Sequence, residues 1–303
     1  MQPKSSVMSK NADITSRVET KIKFAALDGM SLGGYYFENT TEQDPIALAA
    51  LVICGMGIPA IKYRRFARYL ATSGIPTLTF DYRGIGDSRP DNLRGFTANV
   101  ADWSEYDCGG AIAWLRARYP KAQIVAIAHS IGSLLFGGSP NAGLITRCVL
   151  ICAHTGYFGD YRRPYRIPMA LLWHGIMPVL TRTIGYFPGR RLGLGEDIPA
   201  AVALEWAARR KPMLRKQETE RNLTLINRCA ALKMPALVVS VTDDAFSTDA
   251  GTRRVLAYFP GLSVERLCVR PQEIGQRKMG HFGFFRRASR HQLWPKILAY
   301  LVH

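Results

Sequence analysis

Five short runs in this chain are apolar at nearly every position: LAALVIC (48 to 54), IPTLTFDY (75 to 82), AQIVAIA (122 to 128), CVLICA (148 to 153) and PALVVSV (235 to 241). A strand with one wet face alternates polar and apolar residues, whereas a strand covered by helices on both faces has no polar side to alternate with. Runs of this length and purity therefore demand a buried, largely parallel sheet. What lies between them supplies the covering helices. In KYRRFARYLATSG, Tyr63, Phe66, Ala67 and Leu70 make an i, i+3, i+4, i+7 stripe that Gly74 ends, and DWSEYDCGGAIAWLRARYP reads as a second amphipathic helix. At the start, KIKFAAL and MSLGGYYFE flank Asp28-Gly29, a pair suited to the positive φ angles of a tight hairpin turn. The order opens β-β-β-α-β-α-β-α-β, and PALVVSV and SVERLCV (263 to 269) continue the series of strands. This predicts an α/β fold with a mostly parallel, doubly wound sheet and antiparallel first strands.

The regularity fails between 155 and 230, where Pro and Gly divide several short helical segments. The reading is therefore a core made of 21–154 and 231–303, an inserted helical cap at 155–230, and a flexible tail at 1–20. No apolar stretch reaches the about 18 residues of a membrane span, and the polar N-terminus lacks the apolar segment of a secretory signal, so a cytoplasmic location is expected. The six cysteines lie mostly inside apolar runs without disulfide or zinc spacing and read as free, buried thiols. The formal net charge of +17 comes from basic residues scattered along the whole length, so a solvated basic surface is expected rather than a nucleic-acid footprint.

One polar pair interrupts this pattern. In IVAIAHSIGSLLFGG, a strand runs into His129 and Ser130 and a helix begins at once. A serine at such a junction needs small residues two before and two after it, because the chain reverses on a strained backbone. Ala128 and Gly132 meet that need, and the turn lifts the hydroxyl above the carboxyl edge of the sheet at a helix N-terminus. His281, between Gly280 and Gly283 after the last strand, falls on a loop at the same edge, where it can exchange a proton with the serine if a carboxylate fixes its tautomer.

With Ala128 in place of the first glycine of G-x-S-x-G, the sequence resembles the α/β-hydrolase superfamily, including its serine aminopeptidase-like members, from about residue 20 to 303. The resemblance implies a serine hydrolase. It implies oxyanion donors at the N-H groups of Met56, in CGMGIPA, and Ile131, although Cys54 stands where the family often has histidine. It implies that Asp244, in TDDAFST, orients His281, with Asp243 as the alternative acid. DYRGIGDS (81 to 88) matches a loop motif of the family, in which Asp81 and Arg83 are expected to pair as a brace. The order Ser130, Asp244, His281 is the family's order.

Among the other histidines, His129 is expected to be packed and hydrogen-bonded, His154 to be a satisfied core residue or a substrate contact, and His174 to face the pocket or pack in the cap. GRRLGLGED (189 to 197) follows no strand and lacks the lysine of a phosphate loop, so it is not read as a nucleotide site. It resembles a stretch in the cap of a group of bacterial α/β-hydrolases, with Asp197 expected to cap the next helix. The expectation is carboxylic ester cleavage through an acyl-enzyme, acting on a small-molecule acyl substrate with no cofactor or metal, no nucleic acid, and a homo-oligomer as an option. Thioesterase or acyltransferase chemistry, and a catalytically silent binding protein, are the alternatives.

Overall fold

The computed structural model describes residues 19–39, 46–209 and 219–303. Eight strands form one sheet: β1 (Glu19–Ala25), β2 (Ser31–Phe37), β3 (Leu48–Ile53), β4 (Thr77–Phe80), β5 (Gln123–His129), β6 (Ile145–Ile151), β9 (Pro235–Val241) and β10 (Ser263–Val269). Their order is β1-β2-β4-β3-β5-β6-β9-β10, with β1 and β2 antiparallel to their neighbours and the rest parallel. The apolar runs account for this. Residues 49–53 of β3 and 124–129 of β5 are buried on both faces. The less apolar SVERLCV takes the edge, where most of its side chains are exposed.

Helix α1 (Arg64–Thr72) buries the predicted stripe of Phe66, Ala67 and Leu70. Helix α2 (Cys108–Arg118) continues from a π turn at Trp103–Asp107, itself preceded by a turn that Asn99 and Asp102 cap reciprocally. Helix α3 (Gly132–Leu135) follows β5, α8 (Asp249–Leu256) follows β9, and α9 (Trp294–Val302) closes the chain. Between β6 and β9 stand four further helices, α4 (Arg163–Leu171), α5 (Met177–Ile184), α6 (Ala200–Ala208) and α7 (Glu220–Ala231), and a two-strand ribbon of β7 (Tyr186–Phe187) and β8 (Ile198–Pro199). The expected tail at 1–20 lies outside the described residues except for Glu19 and Thr20, which already belong to β1.

The strand that follows β3 in the chain lies on one side of it and β5 lies on the other. The crevice above the carboxyl ends of β3 and β5 is therefore the switch point where open α/β sheets collect their ligands.

Two local expectations are corrected. Arg83 does not pair with Asp81: its side chain bonds Asp107 (2.7 Å) and Asp28 (2.7 and 2.9 Å). Asp81 instead accepts the backbone N-H groups of Ala60 (2.6 Å) and Asp87 (3.0 Å), because its short side chain satisfies the donors of two neighbouring loops. Asp197 does not cap a helix; α6 follows Pro199 with no side-chain cap, and Asp197 binds Arg89 (2.7 Å) and the N-H of Arg190 (3.0 Å).

Candidate active site

Ser130 directly follows β5 with φ at +59°, a left-handed conformation that among non-glycine described residues it shares only with Cys152. The sheet holds it there, since its N-H donates to the Ile151 carbonyl (2.9 Å). The requirement for small neighbours has a concrete cause. A Cβ on Gly132 would lie 2.6 Å from the Cys54 carbonyl oxygen, and one on Gly55 would lie 3.1 Å from the Ser130 Cβ. Gly132 and Gly55 are thus the clearance that lets the turn after β5 pass the loop after β3.

Asp244 and His281 meet above the ends of β9 and β10. His281 Nδ1 lies 2.7 Å from Asp244 Oδ2, while Asp244 Oδ1 accepts the N-H groups of Phe246 (2.8 Å) and Ser247 (3.1 Å). Burial pushes the Asp244 carboxyl up, but the charge and hydrogen bond of His281 and the two backbone donors outweigh it and hold the group well below the usual carboxylate range. A carboxylate that stays ionised accepts a hydrogen bond from Nδ1–H, which keeps that proton on Nδ1 and leaves Nε2 of His281 with its lone pair. Asp243, the alternative acid, does something else: its two oxygens accept the N-H groups of Met279 and Gly280 (2.9 Å each) and fix the loop that carries His281.

Two other histidines flank this pair, and backbone partners set the tautomer of each. The N-H of Gly156 donates to His154 Nδ1 (2.9 Å), so the proton of neutral His154 is on Nε2. Nε2 lies 2.9 Å from Ser130 Oγ, and His154 is therefore the donor in that bond. Burial, then the neighbouring His281, lowers the His154 pKa to about 3, so the ring stays neutral. It is packed edge-on against Tyr161 and Trp206, with ring centroids 5.9 and 6.3 Å away. The sequence left His154 between a core residue and a substrate contact; the structure places it on the serine itself. The one signal available was its position just past the carboxyl end of a central strand.

His129 is buried and hydrogen-bonded as expected. Its Nε2 lies 3.0 Å from the His281 carbonyl, which only accepts, so Nε2 carries the proton and Nδ1 accepts from the Tyr63 hydroxyl (2.8 Å). Tyr63 in turn accepts the N-H of Gly55 (2.8 Å). A single directed chain of hydrogen bonds thus links the loop after β3, the turn after β5 and the loop bearing His281. His174 lies in the inserted segment with Nδ1 2.6 Å from the Ala207 carbonyl.

The N-H groups of Met56 and Ile131 donate to no other group among the described residues and lie in the loop after β3 and directly after Ser130. The Met56 loop is tied to the inserted segment, since the N-H of Glu196 donates to the Gly57 carbonyl (2.9 Å). Among the described residues, the one set of side chains close enough to share a metal ion is Cys152, Asp244 and His281. The carboxylate and the Nδ1 of that set are already bonded to each other, and burial, reinforced by Asp244, keeps the Cys152 thiol protonated.

A sequence model described as "Alpha/beta hydrolase family" matches residues 50–290. No curated protein matches the sequence significantly. Solved structures with a similar fold include an esterase from Pyrococcus furiosus (14% identical, 96% of this chain and 92% of that one covered, TM-score 0.59). They also include the esterase domain of a Rhodothermus marinus protein (16%, 93% and 97%, TM-score 0.56) and an esterase from Exiguobacterium antarcticum (12%, 94% and 100%, TM-score 0.59). At such identities the likeness concerns the fold.

Proposed function

The chain belongs to the α/β-hydrolase family, and from that premise we propose that it is a serine hydrolase that cleaves a carboxylic ester through an acyl-enzyme. The reading is supported by a serine at φ +59° whose bonded partner His154 packs with its ring centroid 5.1 Å from that of His281, a histidine whose Nδ1 is committed to an ionised aspartate. Ser130 Oγ bonds His154, and among the described residues no hydrogen bond joins it to His281.

In this mechanism Ser130 Oγ attacks the ester carbonyl and its proton passes to Nε2 of His281, while Asp244 stabilises the imidazolium without taking the proton. The N-H groups of Met56 and Ile131 hold the oxyanion, at about 3 kcal/mol each. Collapse of the tetrahedral intermediate breaks the bond to the alkoxy oxygen, which leaves with the proton from His281. A water then gives its proton to His281, attacks the acyl-enzyme and releases the acid, and the proton returns to Oγ.

His154 has a role in both halves. Its Nε2-H points at Oγ, so it favours negative charge on that oxygen during attack and again when Oγ is the leaving group in deacylation. Because the ring is neutral with Nδ1 occupied, it cannot serve as the base, and that task is left to His281. The segment at 155–230 serves as a cap, its Tyr161 and Trp206 forming the apolar wall behind His154. A small acyl substrate handled without metal or organic cofactor fits this machinery.

Labelling with a fluorophosphonate probe tests the reading. The wild type should be modified at Ser130, and Ser130→Ala should lose both the label and roughly 10⁴-fold or more of its p-nitrophenyl ester hydrolysis. A wild type that neither labels nor hydrolyses any ester of a chain-length panel would refute it. Labelling with acyl transfer to an added alcohol or thiol exceeding hydrolysis would favour the acyltransferase alternative.

A further inference from the structure

The net charge of +17 includes several stretches without an acidic residue, and one of them, at 161–195, coincides with an exposed aliphatic face. Helices α4 and α5 are joined by a π turn at Leu172–Ile176 into one rod from 163 to 184. A π turn stacks residues i and i+5, so Leu171 and Ile176 stay on one side of the rod, whereas an unbroken α-helix would place them apart. Ile167, Leu171, Ile176 and Val179 therefore form a continuous stripe, and they are 72, 63, 49 and 59% exposed. The opposite side holds Met177 and Thr181, both buried against the body of the protein. Leu192 and Leu194, on the loop that follows, are exposed as well.

From 161 to 195 the sequence contains six arginines and no aspartate or glutamate. Arg162, Arg163, Arg166, Arg182, Arg190 and Arg191 are all exposed. Arg190 pairs with Glu196, and among the described residues the other five have no carboxylate partner. Arg162, Arg163 and Arg166 stand at the start of the aliphatic stripe and Arg182 near its end.

This combination selects among occupants. A second copy of the chain would bring the same uncompensated arginines against these ones, and like charges disfavour that pairing. Nucleic acid would satisfy the arginines and find one exposed ring, Tyr165, to stack on, but it would leave the longer run of isoleucine, leucine and valine against phosphate and water. An anionic bilayer satisfies both, because its headgroups are acidic and its acyl boundary is apolar. We propose that the α4–α5 face docks on anionic lipid surfaces, with the stripe entering the headgroup and acyl boundary and the arginines meeting the lipid phosphates and carboxylates. The face adjoins the site through its loop, whose Glu196 N-H holds the Gly57 carbonyl beside Met56. The docking itself does not depend on the hydrolase reading.

Co-sedimentation of the full chain with vesicles of phosphatidylcholine, alone or with about a third phosphatidylserine, tests this. Binding to the phosphatidylserine vesicles that falls with salt is expected. Each arginine near the surface should count for about fivefold, so Arg162→Gln, Arg163→Gln and Arg166→Gln together should weaken binding roughly a hundredfold. The exposed pair Ile167→Glu and Leu171→Glu should weaken it by about tenfold or more, while Arg286→Gln with Arg287→Gln, outside the face, should leave most of it intact. Unchanged thermal melting keeps these surface variants interpretable.

Several results would overturn the proposal. The first is no binding by the wild type; the second is binding that survives the two glutamates; the third is equal loss in the control pair, which would mean general charge only. A dimer that Ile167→Glu and Leu171→Glu convert to monomer, without vesicle binding, would assign the face to a second copy. Retention on RNA but not on vesicles would assign it to nucleic acid.

Discussion

Replacing His154 with glutamine should change how this protein responds to acid, and the size of the change follows from the burial of the ring. In the folded chain the His154 pKa is lowered from 6.5 to about 3, by burial first and then by His281. The folded state therefore binds a proton less readily than the unfolded chain. As pH falls below about 6.5 the unfolded state takes up a proton that the folded state refuses, so unfolding becomes easier on acidification. The stability from this group is fully present above the unfolded value and is lost progressively between pH about 6.5 and about 3. Between pH 7 and pH 5 the loss is about 2 kcal/mol, and its ceiling near pH 3 is about 5 kcal/mol. A glutamine cannot titrate, and its amide N-H can still reach for Ser130 Oγ. Urea unfolding followed by tryptophan fluorescence at pH 7 and pH 5 should show the wild type losing about 2 kcal/mol more than His154→Gln over that interval. Equal losses in the two proteins would refute the argument that this histidine is held neutral, and with it the assignment of His154 as the donor to the serine. Kinetically, His154→Gln should keep most of the turnover, whereas His154→Phe should lose it mainly in kcat with KM little changed.

The neighbouring aspartates should separate in steady-state kinetics. Asp244→Asn should cost about 10⁴-fold in kcat by favouring the wrong tautomer of His281, whereas Asp243→Asn should cost far less, because it loosens only the loop at 279–280. Arg83→Met should destabilise by about 3 to 5 kcal/mol, since it strands the fully buried Asp107 without its partner. Burial already raises the Asp107 pKa to about 6 against the pull of Arg83, so the folded state of that variant favours the protonated acid. A group raised in this way contributes stability below its unfolded pKa and loses it as pH rises through the folded one, so denaturation midpoints of Arg83→Met should fall further at pH 8 than at pH 5.

The sheet was legible because burial on two faces leaves a one-dimensional record: a strand with no polar side, as in LAALVIC or PALVVSV, can be read without knowing its neighbours. The serine turn was legible for a similar reason, as a backbone reversal restricts residue size at fixed offsets, and Gly132 is that restriction made visible. Side-chain partners chosen across the fold left no such record. Arg83 was read with the acid two positions before it, yet its partners are 24 and 55 residues away, because the loop motif fixes the arginine's position and the fold decides what lies opposite. Asp197 looked like a cap by its spacing from a helix start but answers to Arg89, 108 residues earlier. His154 shows the same limit most plainly. Its neighbours in the chain describe a strand end, and its contact with Ser130 exists only once β5 and β6 lie side by side.

The directed chain through His129 has a consequence for the life history of the molecule. Its two longest links join residues 66 and 152 positions apart, the second reaching a loop that only the final part of the polypeptide supplies. During synthesis the early strands can pair and the serine turn can form while Nε2-H of His129 still has no carbonyl to bind. The same loop brings Phe282 and Phe285, which pack edge-on against the His129 ring, so the cover and the acceptor are supplied together. The donor passes from water to a carbonyl in one step and is never left buried and unmet. Under the proposed mechanism the base rides on that loop too, so a chain cut before residue 281 should be silent instead of partly active.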